Sequence, residues 1–162
     1  MLNCSDGPII GYLTDIHAVE RLDLRLLEAA CRIGADRATA EIYADHLLQT
    51  RGHVRLIEER LAAYDVPAPA RTEPHISTGP LRIGLKLVTG HSPADLAISI
   101  YTLESLEIAL YHILGQLARH SHDPDTELVA QRILEQEEDA AELVASRIDR
   151  VNAASIDATA GG

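Results

Sequence analysis

The sequence predicts an all-α protein built as a four-helix bundle. Four long stretches repeat apolar residues at three- and four-residue steps, which is the period of a helix with one buried face. The chain is 46% hydrophobic but only 3% aromatic, so its core must consist of Leu, Ile, Val and Ala, which suits packed helices. A length of 162 residues is enough for one domain with a real hydrophobic core.

The first two helices are predicted over about residues 9–33 and 36–64. Gly34 is well placed to end the first helix, because glycine readily adopts the left-handed conformation that follows a helix. Asp65 and the sequence VPAPAR end the second helix, since proline cannot continue one. The connection between the two helices is short, so they are expected to form an antiparallel hairpin.

The third helix is predicted to begin at Ser92 and to run to about residue 120. Ser92 is followed by a proline and then by Asp95, which is the pattern of an N-cap, a first-turn proline and an acid in a capping box. Asp123, also followed by a proline, opens the fourth helix, which is expected to extend to about residue 152. These two helices form the second hairpin.

A long connection, residues 66–92, joins the hairpins and contains four prolines. Within it LRIGLKLVTG, residues 81–90, is apolar enough for a short helix packed across the bundle. We expect the connection to cross the full length of the bundle, which is the topology of ferritin-like bundles. The domain is expected to span residues 1–152, and the small, polar residues 153–162 are expected to form a flexible tail.

Polar residues interrupt the apolar stripe near the midpoint of every predicted helix. They are Glu20 in the first helix, Gln49, Thr50 and His53 in the second, Glu104 and Glu107 in the third, and Glu135, Glu137 and Glu138 in the fourth. Side chains at equal depth in a bundle meet, so a polar layer is predicted inside the core. Crowded, desolvated carboxylates are costly, and a cation with oxygen ligands removes that cost. This is the logic of carboxylate-bridged dinuclear iron or manganese sites.

Other acidic residues and histidines have simpler interpretations. A glutamate on a Glu-rich helix is often a solvated residue that pairs with an arginine, and we expect this partly for Glu135 and Glu138. His53 is either a ligand or a hydrogen-bonded histidine of the core. Of the other histidines, His17 and His46 are expected at the surface or behind the ligands. A solvated helix end is expected for His112, His120 and His122.

Four segments carry a resemblance to a known family: AVERLDLRLLEAA, YADHLLQTRGHVRLIEERL, LESLEIALY and ILEQEEDAAELV. In this order and spacing, over about residues 9–150, they resemble the ferritin-like family of YciE/YciF-type stress proteins. The resemblance implies a four-helix bundle, often dimeric, with a dinuclear metal centre and a link to stress responses. Carried over by position, it implies the ligands Glu20, His53, Glu104, Glu107, and Glu137 or Glu138.

The sequence also departs from that pattern. Gln49 stands where the family commonly has a glutamate, and a neutral amide is a poor substitute for a bridging carboxylate. The Glu-x-x-His motif of the general ferritin-like pattern is missing from the two helices that would carry it. A dinuclear site, a mononuclear site and an empty site therefore all stay open.

Composition excludes several function classes. The net charge is −11 and the basic residues are scattered, which argues against nucleic acid as a partner. No signal peptide and no apolar run of about 18 residues is evident, so we expect a cytoplasmic protein with no membrane partner. P-loop, Rossmann and G-x-S-x-G patterns are missing.

Two functions remain. The first is a metal-binding protein that holds iron, or manganese or zinc, and that as a ferroxidase would oxidise Fe(II) with oxygen or peroxide. The second is a metal-free structural or interaction module of a stress response, whose polar layer is a hydrogen-bond network that fixes helix register. A homodimer is expected in either case.

Overall fold

The computed structural model describes residues 6–33, 36–69, 92–148 and 150. These ranges contain four helices and no strand, which confirms the predicted all-α bundle. The helices are α1 (Asp6–Ile33), α2 (Arg37–Ala63), α3 (Pro93–His120) and α4 (Pro124–Ala145). The short helix predicted at residues 81–90 and the tail at residues 153–162 lie outside the described residues.

The predicted helix starts are confirmed at α3 and α4. Ser92 accepts a hydrogen bond from the backbone N–H of Asp95, and the Asp95 carboxylate accepts one from the backbone N–H of Ser92, which completes a capping box. Asp123 caps α4 by accepting from the backbone N–H of Thr126. Helix α4 ends at Ala145, earlier than the predicted end near residue 152, and a turn follows it.

The ends of the helices establish the crossover. Tyr64, just after α2, donates a hydrogen bond to Asp123 in the turn between α3 and α4. At the opposite end of the bundle, Tyr43 near the start of α2 belongs to one apolar cluster with Leu96 and Ile100 near the start of α3. Helices α2 and α3 therefore run in the same direction, and the chain that joins them must pass from one end of the bundle to the other.

Two apolar clusters fill the bundle on either side of its middle. The larger includes Leu13 and Ile16 of α1 and Leu114 of α3, and the smaller includes Leu27 of α1 and Val144 of α4. All five side chains are at most 1% exposed. Each such burial contributes roughly 1.5–3 kcal/mol, so the two clusters stabilise the fold and separate the layer between them from bulk water.

Helix α3 is the described helix whose length and hydropathy would suit a membrane span. Half of its apolar window is buried inside the bundle, and a core helix meets the same criteria for this reason. It also carries Glu104 and Glu107, which are 0% and 1% exposed. Its buried apolar residues thus belong to the core of the bundle.

Asp123 joins three parts of the fold at one end of the bundle. Its carboxylate accepts hydrogen bonds from the backbone N–H of Thr126, from the hydroxyl of Tyr64 and from Nη2 of Arg60, which lies 3.2 Å from each carboxylate oxygen. Burial raises the pKa of Asp123, but the contacts with Thr126, Tyr64 and Arg60 lower it by more, so the net shift is downward. The ionised form is therefore favoured in the folded state.

We predict that Asp123→Asn lowers the free energy of unfolding by about 1–3 kcal/mol, since it removes the charge that three donors share. A carboxyl group with a lowered folded pKa stabilises the protein above its unfolded pKa and loses that effect as the pH falls. The difference between variant and wild type should therefore shrink below about pH 3.8, the ordinary pKa of Asp. Urea denaturation at neutral and acidic pH measures it, with the exposed Asp139→Asn as control. A constant difference across that range would contradict the assignment.

Candidate metal centre

Ionisable side chains from all four helices meet in a layer between the two apolar clusters. Helix spacing explains this meeting, because residues three or seven positions apart lie on the same face. The layer, defined here as the polar layer, consists of five carboxylates and two histidines, each at most 3% exposed: Glu20, Asp23, His46, His53, Glu104, Glu107 and Glu137.

The first group in the polar layer, called the His53 triad, contains Glu20, His53 and Glu137. Nδ1 of His53 lies 2.7 Å from Oε1 of Glu137 and 3.5 Å from Oε1 of Glu20. One ligand atom from each residue lies within 4.8 Å of the others, which is close enough for all three to contact a single ion. On the other side of the ring, Nε2 of His53 is 2.9 Å from the amide oxygen of Gln136.

The second group, called the His46 triad, contains Asp23, His46 and Glu104. Nε2 of His46 lies 2.7 Å from Oε1 of Glu104 and 3.6 Å from Oδ2 of Asp23. Its three ligand atoms also lie within 4.8 Å of one another. Nδ1 of His46 lies 3.3 Å from the amide oxygen of Gln49. The two histidines thus have the same arrangement, with one ring nitrogen towards the carboxylates and the other towards a glutamine.

A third group consists of carboxylates alone: Glu104, Glu107 and Glu137. It shares Glu137 with the His53 triad and Glu104 with the His46 triad, so the three groups form one continuous constellation. The two oxygens of Glu137 face different histidines, with Oε1 near His53 and Oε2 3.9 Å from Nε2 of His46.

Two neutral residues hold carboxylates of the layer in place. The hydroxyl of Tyr111 donates to Oε1 of Glu20, and that tyrosine is only 1% exposed. Thr50 Oγ1 lies 3.5 Å from Oδ2 of Asp23 and donates to the backbone carbonyl of His46 at 3.0 Å. Tyr101, in contrast, is 39% exposed.

Burial and mutual repulsion shift most of the carboxyl pKa values upward. Desolvation is the largest cause for Asp23, Glu104 and Glu107, whose pKa values lie well above the ordinary range, and neighbouring carboxylates add to it. Burial also raises the pKa of Glu20, and the proximity of His53 only partly offsets this. In the absence of a cation, burial therefore favours the protonated forms of these four carboxyl groups.

The two histidines and Glu137 respond differently. Burial would lower the pKa of His53, but the charges of Glu20 and Glu137 raise it to about 10. Burial lowers the pKa of His46, so its neutral form is favoured. Burial raises the pKa of Glu137, but contacts with Glu104 and His53 lower it by more, and Glu137 stays ionised.

The donor set fits a metal ion. Buried oxygens normally accept hydrogen bonds, yet within the described ranges several oxygens of the layer accept none: Oε2 of Glu20, Oδ1 of Asp23, Oε2 of Glu104, Oε1 of Glu107 and Oε2 of Glu137. Five carboxylates also exceed the charge that two histidines can balance. Carboxylate oxygens and imidazole nitrogens are the ligands that iron, manganese and zinc take in proteins.

The structure brings together most of the predicted site residues. Glu20, His53, Glu104, Glu107 and Glu137 all lie in the polar layer, and the predicted burial of Glu20 and Glu107 is confirmed. Glu138 does not join them. It lies on the outer face of α4, 3.9 Å from Nε2 of His112, and its side chain is 55% exposed. The adjacent Glu137 occupies the inward position because successive helical residues point about 100° apart.

The sequence analysis missed Asp23. His46 was expected at the surface or behind the ligands. The surface alternative is wrong, because His46 is 3% exposed, whereas its contact with Glu104 is compatible with a place behind that ligand. The signals were present: Asp23 follows Glu20 by one helical turn, and His46 precedes His53 by two turns. His17 is also buried, at 2% exposure, and it pairs with Glu58 at 3.0 Å outside the layer.

Comparisons with known proteins agree with this fold. The sequence profile of a family described as a domain of unknown function, DUF892, matches residues 10–155. No curated protein matches the sequence.

Solved structures share the architecture at low identity. A protein of Xanthomonas campestris pv. campestris has a TM-score of 0.78 at 18% identity, with 97% of this chain and 99% of that chain covered. The E. coli stress protein YciF has a TM-score of 0.72 at 17% identity and 93% and 98% coverage. A bacterioferritin-related protein of Bacteroides fragilis, described as a dodecameric thioferritin, has a TM-score of 0.73 at 17% identity and 90% and 87% coverage. These likenesses show the ferritin-like fold.

We predict opposite effects from removing two charges of the layer in metal-free protein. Glu107→Gln should be neutral or stabilising, because Oε1 of Glu107 has no hydrogen-bond donor and its charge is crowded by Glu20 and Glu137. Glu20→Gln should cost about 1–3 kcal/mol, because Glu20 is a partner of both His53 and Tyr111.

The effect of Glu107→Gln on the free energy of unfolding should depend on pH. A carboxyl group whose folded pKa is raised destabilises the protein increasingly as the pH rises above its unfolded pKa, here 4.5. The gain from Glu107→Gln should therefore grow as the pH rises above about 4.5. Chemical denaturation of chelator-treated protein measures it. Destabilisation by Glu107→Gln equal to that of Glu20→Gln would show that Glu107 has a structural partner.

Proposed function

The chain belongs to the DUF892 family, and from this premise we propose that its buried polar layer binds divalent transition-metal ions through Glu20, His53, Glu104, Glu107 and Glu137. The observation that carries the proposal is the set of buried carboxylate oxygens that accept no hydrogen bond from the described residues, in side chains whose ligand atoms form three overlapping groups within 4.8 Å. Iron or manganese suits the oxygen-rich donor set best, and zinc is also compatible with it.

Electrostatics supports this proposal. Leaving single oxygens of several carboxylates, each at most 1% exposed, without a donor among the described residues costs free energy, either as repulsion between charges or as protons held at raised pKa. A cation offsets both costs, because it neutralises charge and takes the free lone pairs as ligands. The metal-free alternative, a closed hydrogen-bond network, would be expected to satisfy these oxygens with donors from the protein.

The protein's own groups would position the ligands. Tyr111 orients Glu20 through its hydroxyl, and Gln136 holds the His53 ring so that Nδ1 faces Glu20 and Glu137. Such outer hydrogen bonds fix ring orientation and tautomer at metal sites. A bound iron would supply electrons for the reduction of oxygen or peroxide, which is the ferroxidase activity that we propose.

A surface cleft adjoins a residue that contacts the layer. Tyr111 also lines a surface cleft of about 280 Å³ between α3 and α4, together with His112, Arg119 and Gln131. The cleft therefore reaches a side chain that contacts Glu20 directly. The homodimer, the cytoplasmic location and the stress-related role stay predictions.

We expect Mn(II), or Fe(II) under anaerobic conditions, to stabilise the metal-free protein by mass action. At about a hundredfold excess over the dissociation constant the gain is roughly 2.7 kcal/mol, measured as a shift in melting temperature. His53→Gln, which removes one ligand, should lose most of this gain. His120→Gln, at an exposed site, should keep it.

Elemental analysis of protein purified without chelator provides a second measurement. Iron, manganese or zinc should be found in wild type and His120→Gln and be much reduced in His53→Gln. Unchanged melting with both metals, together with metal-free purified protein, would favour the structural module instead.

A further inference from the structure

The His46 triad repeats the chemical design of the His53 triad one step along the bundle. In each triad, one histidine nitrogen faces two carboxylates and the other faces a glutamine amide oxygen near the surface. His46 and His53 both lie on α2, separated by two helical turns, and Asp23 lies one turn beyond Glu20 on α1. The same three kinds of group are thus presented twice.

We propose that Asp23, His46 and Glu104 form a second cation position in the polar layer and that Gln49 orients His46 for it. The inference rests on the proposed function, because Glu104 also belongs to the carboxylate group described above. It adds two ligands that neither the sequence pattern nor the family resemblance supplies, Asp23 and His46. The expected ligand is a divalent transition metal with mixed carboxylate and imidazole coordination.

The hydrogen bond that His46 donates to Gln49 leaves the other ring nitrogen of His46 free. An amide oxygen can only accept, so Nδ1 of His46, 3.3 Å from Oε1 of Gln49, carries the proton. In a neutral imidazole the lone pair then lies on Nε2, which faces Glu104 and Asp23. Metal-ligating histidines typically donate their other ring N–H to such an acceptor.

Buried, unpartnered oxygens point to a ligand at this position. Oδ1 of Asp23 and Oε2 of Glu104 accept no hydrogen bond from the described residues, although both side chains are 0% exposed. Thr50 lies near only the other oxygen of Asp23, at 3.5 Å. Each carboxylate therefore has one oxygen in contact with a histidine or threonine and one oxygen that accepts no hydrogen bond from the described residues.

Glu137 links the two positions. Its Oε1 lies 2.7 Å from Nδ1 of His53, and its Oε2 lies 3.9 Å from Nε2 of His46. The two oxygens of one carboxylate thus face two different histidines, which is the placement of a carboxylate shared between neighbouring ions.

Gln49 does not ligate the ion in this proposal. It is a positioning residue at the surface, and its amide is not a substitute for a missing ligand.

The test is a Co(II) titration of the chelator-treated full chain, followed by visible absorption, with bound metal counted by equilibrium dialysis. Wild type should bind two Co(II) per chain. Asp23→Asn and His46→Gln should each bind one, and the absorption that remains should be that of the His53 triad. Melting temperatures recorded without metal verify that each variant is folded.

The outcomes separate this inference from the proposed function. If wild type binds no Co(II), the proposed function fails and the inference fails with it. If wild type binds one ion and Asp23→Asn binds it with unchanged affinity, the function stands and the second position is refuted. If Asp23→Asn retains two ions, or loses both while folded, the assignment of Asp23 to a separate position is overturned.

Gln49 provides a test that a purely structural role would not pass. Gln49→Leu removes the acceptor and should weaken Co(II) binding at the second position by about 10–100-fold. Gln49→Glu retains an oxygen acceptor and should keep both ions bound. Glu59→Leu, at an exposed position of the same helix, is the control and should leave both affinities unchanged. Equal behaviour of the three variants would refute the role of Gln49.

Discussion

Crowded negative charge at the centre of an apolar bundle is the constraint on which the rest of this structure depends. Five carboxylates and two histidines lie where water has little access, and their number cannot be balanced within the protein. The layer must therefore hold protons, bind cations or lose stability. The upward pKa shifts of Asp23, Glu104 and Glu107 favour holding protons. The oxygens that have no hydrogen-bond partner among the described residues favour binding cations.

The bundle tolerates this layer because the rest of the molecule is stabilised by apolar packing, helix caps and polar contacts. Apolar clusters lie on both sides of the layer, the helix starts are capped by Ser92 and Asp123, and Arg60 and Tyr64 hold one end of the bundle together. Favourable burial at the ends thus offsets unfavourable burial in the middle. Proteins commonly place such a locally unfavourable group of residues where function needs it.

The histidines show how surface residues control a buried site. Each imidazole extends from the layer towards the outside of the bundle, where a glutamine amide meets its outer nitrogen. The inner nitrogens of His46 and His53 then have a fixed direction towards the carboxylates. A neutral glutamine next to His46 is therefore compatible with a metal site, although the sequence alone made Gln49 look like a missing ligand.

The sequence by itself determined the helices, their caps and the existence of a polar layer. Helical periodicity and local capping need only near neighbours along the chain, so Ser92, Asp123 and the inward positions of Glu20 and Glu107 could be predicted. Tertiary structure decided what each side chain meets. Helix rotation separates Glu137 from the adjacent Glu138, and the packing of α1 against α2 and α3 brings Asp23, His46 and Glu104 together. Those contacts depend on how each helix is rotated about its axis and shifted along it relative to helices far away in sequence. A shift of one residue would bring different side chains together.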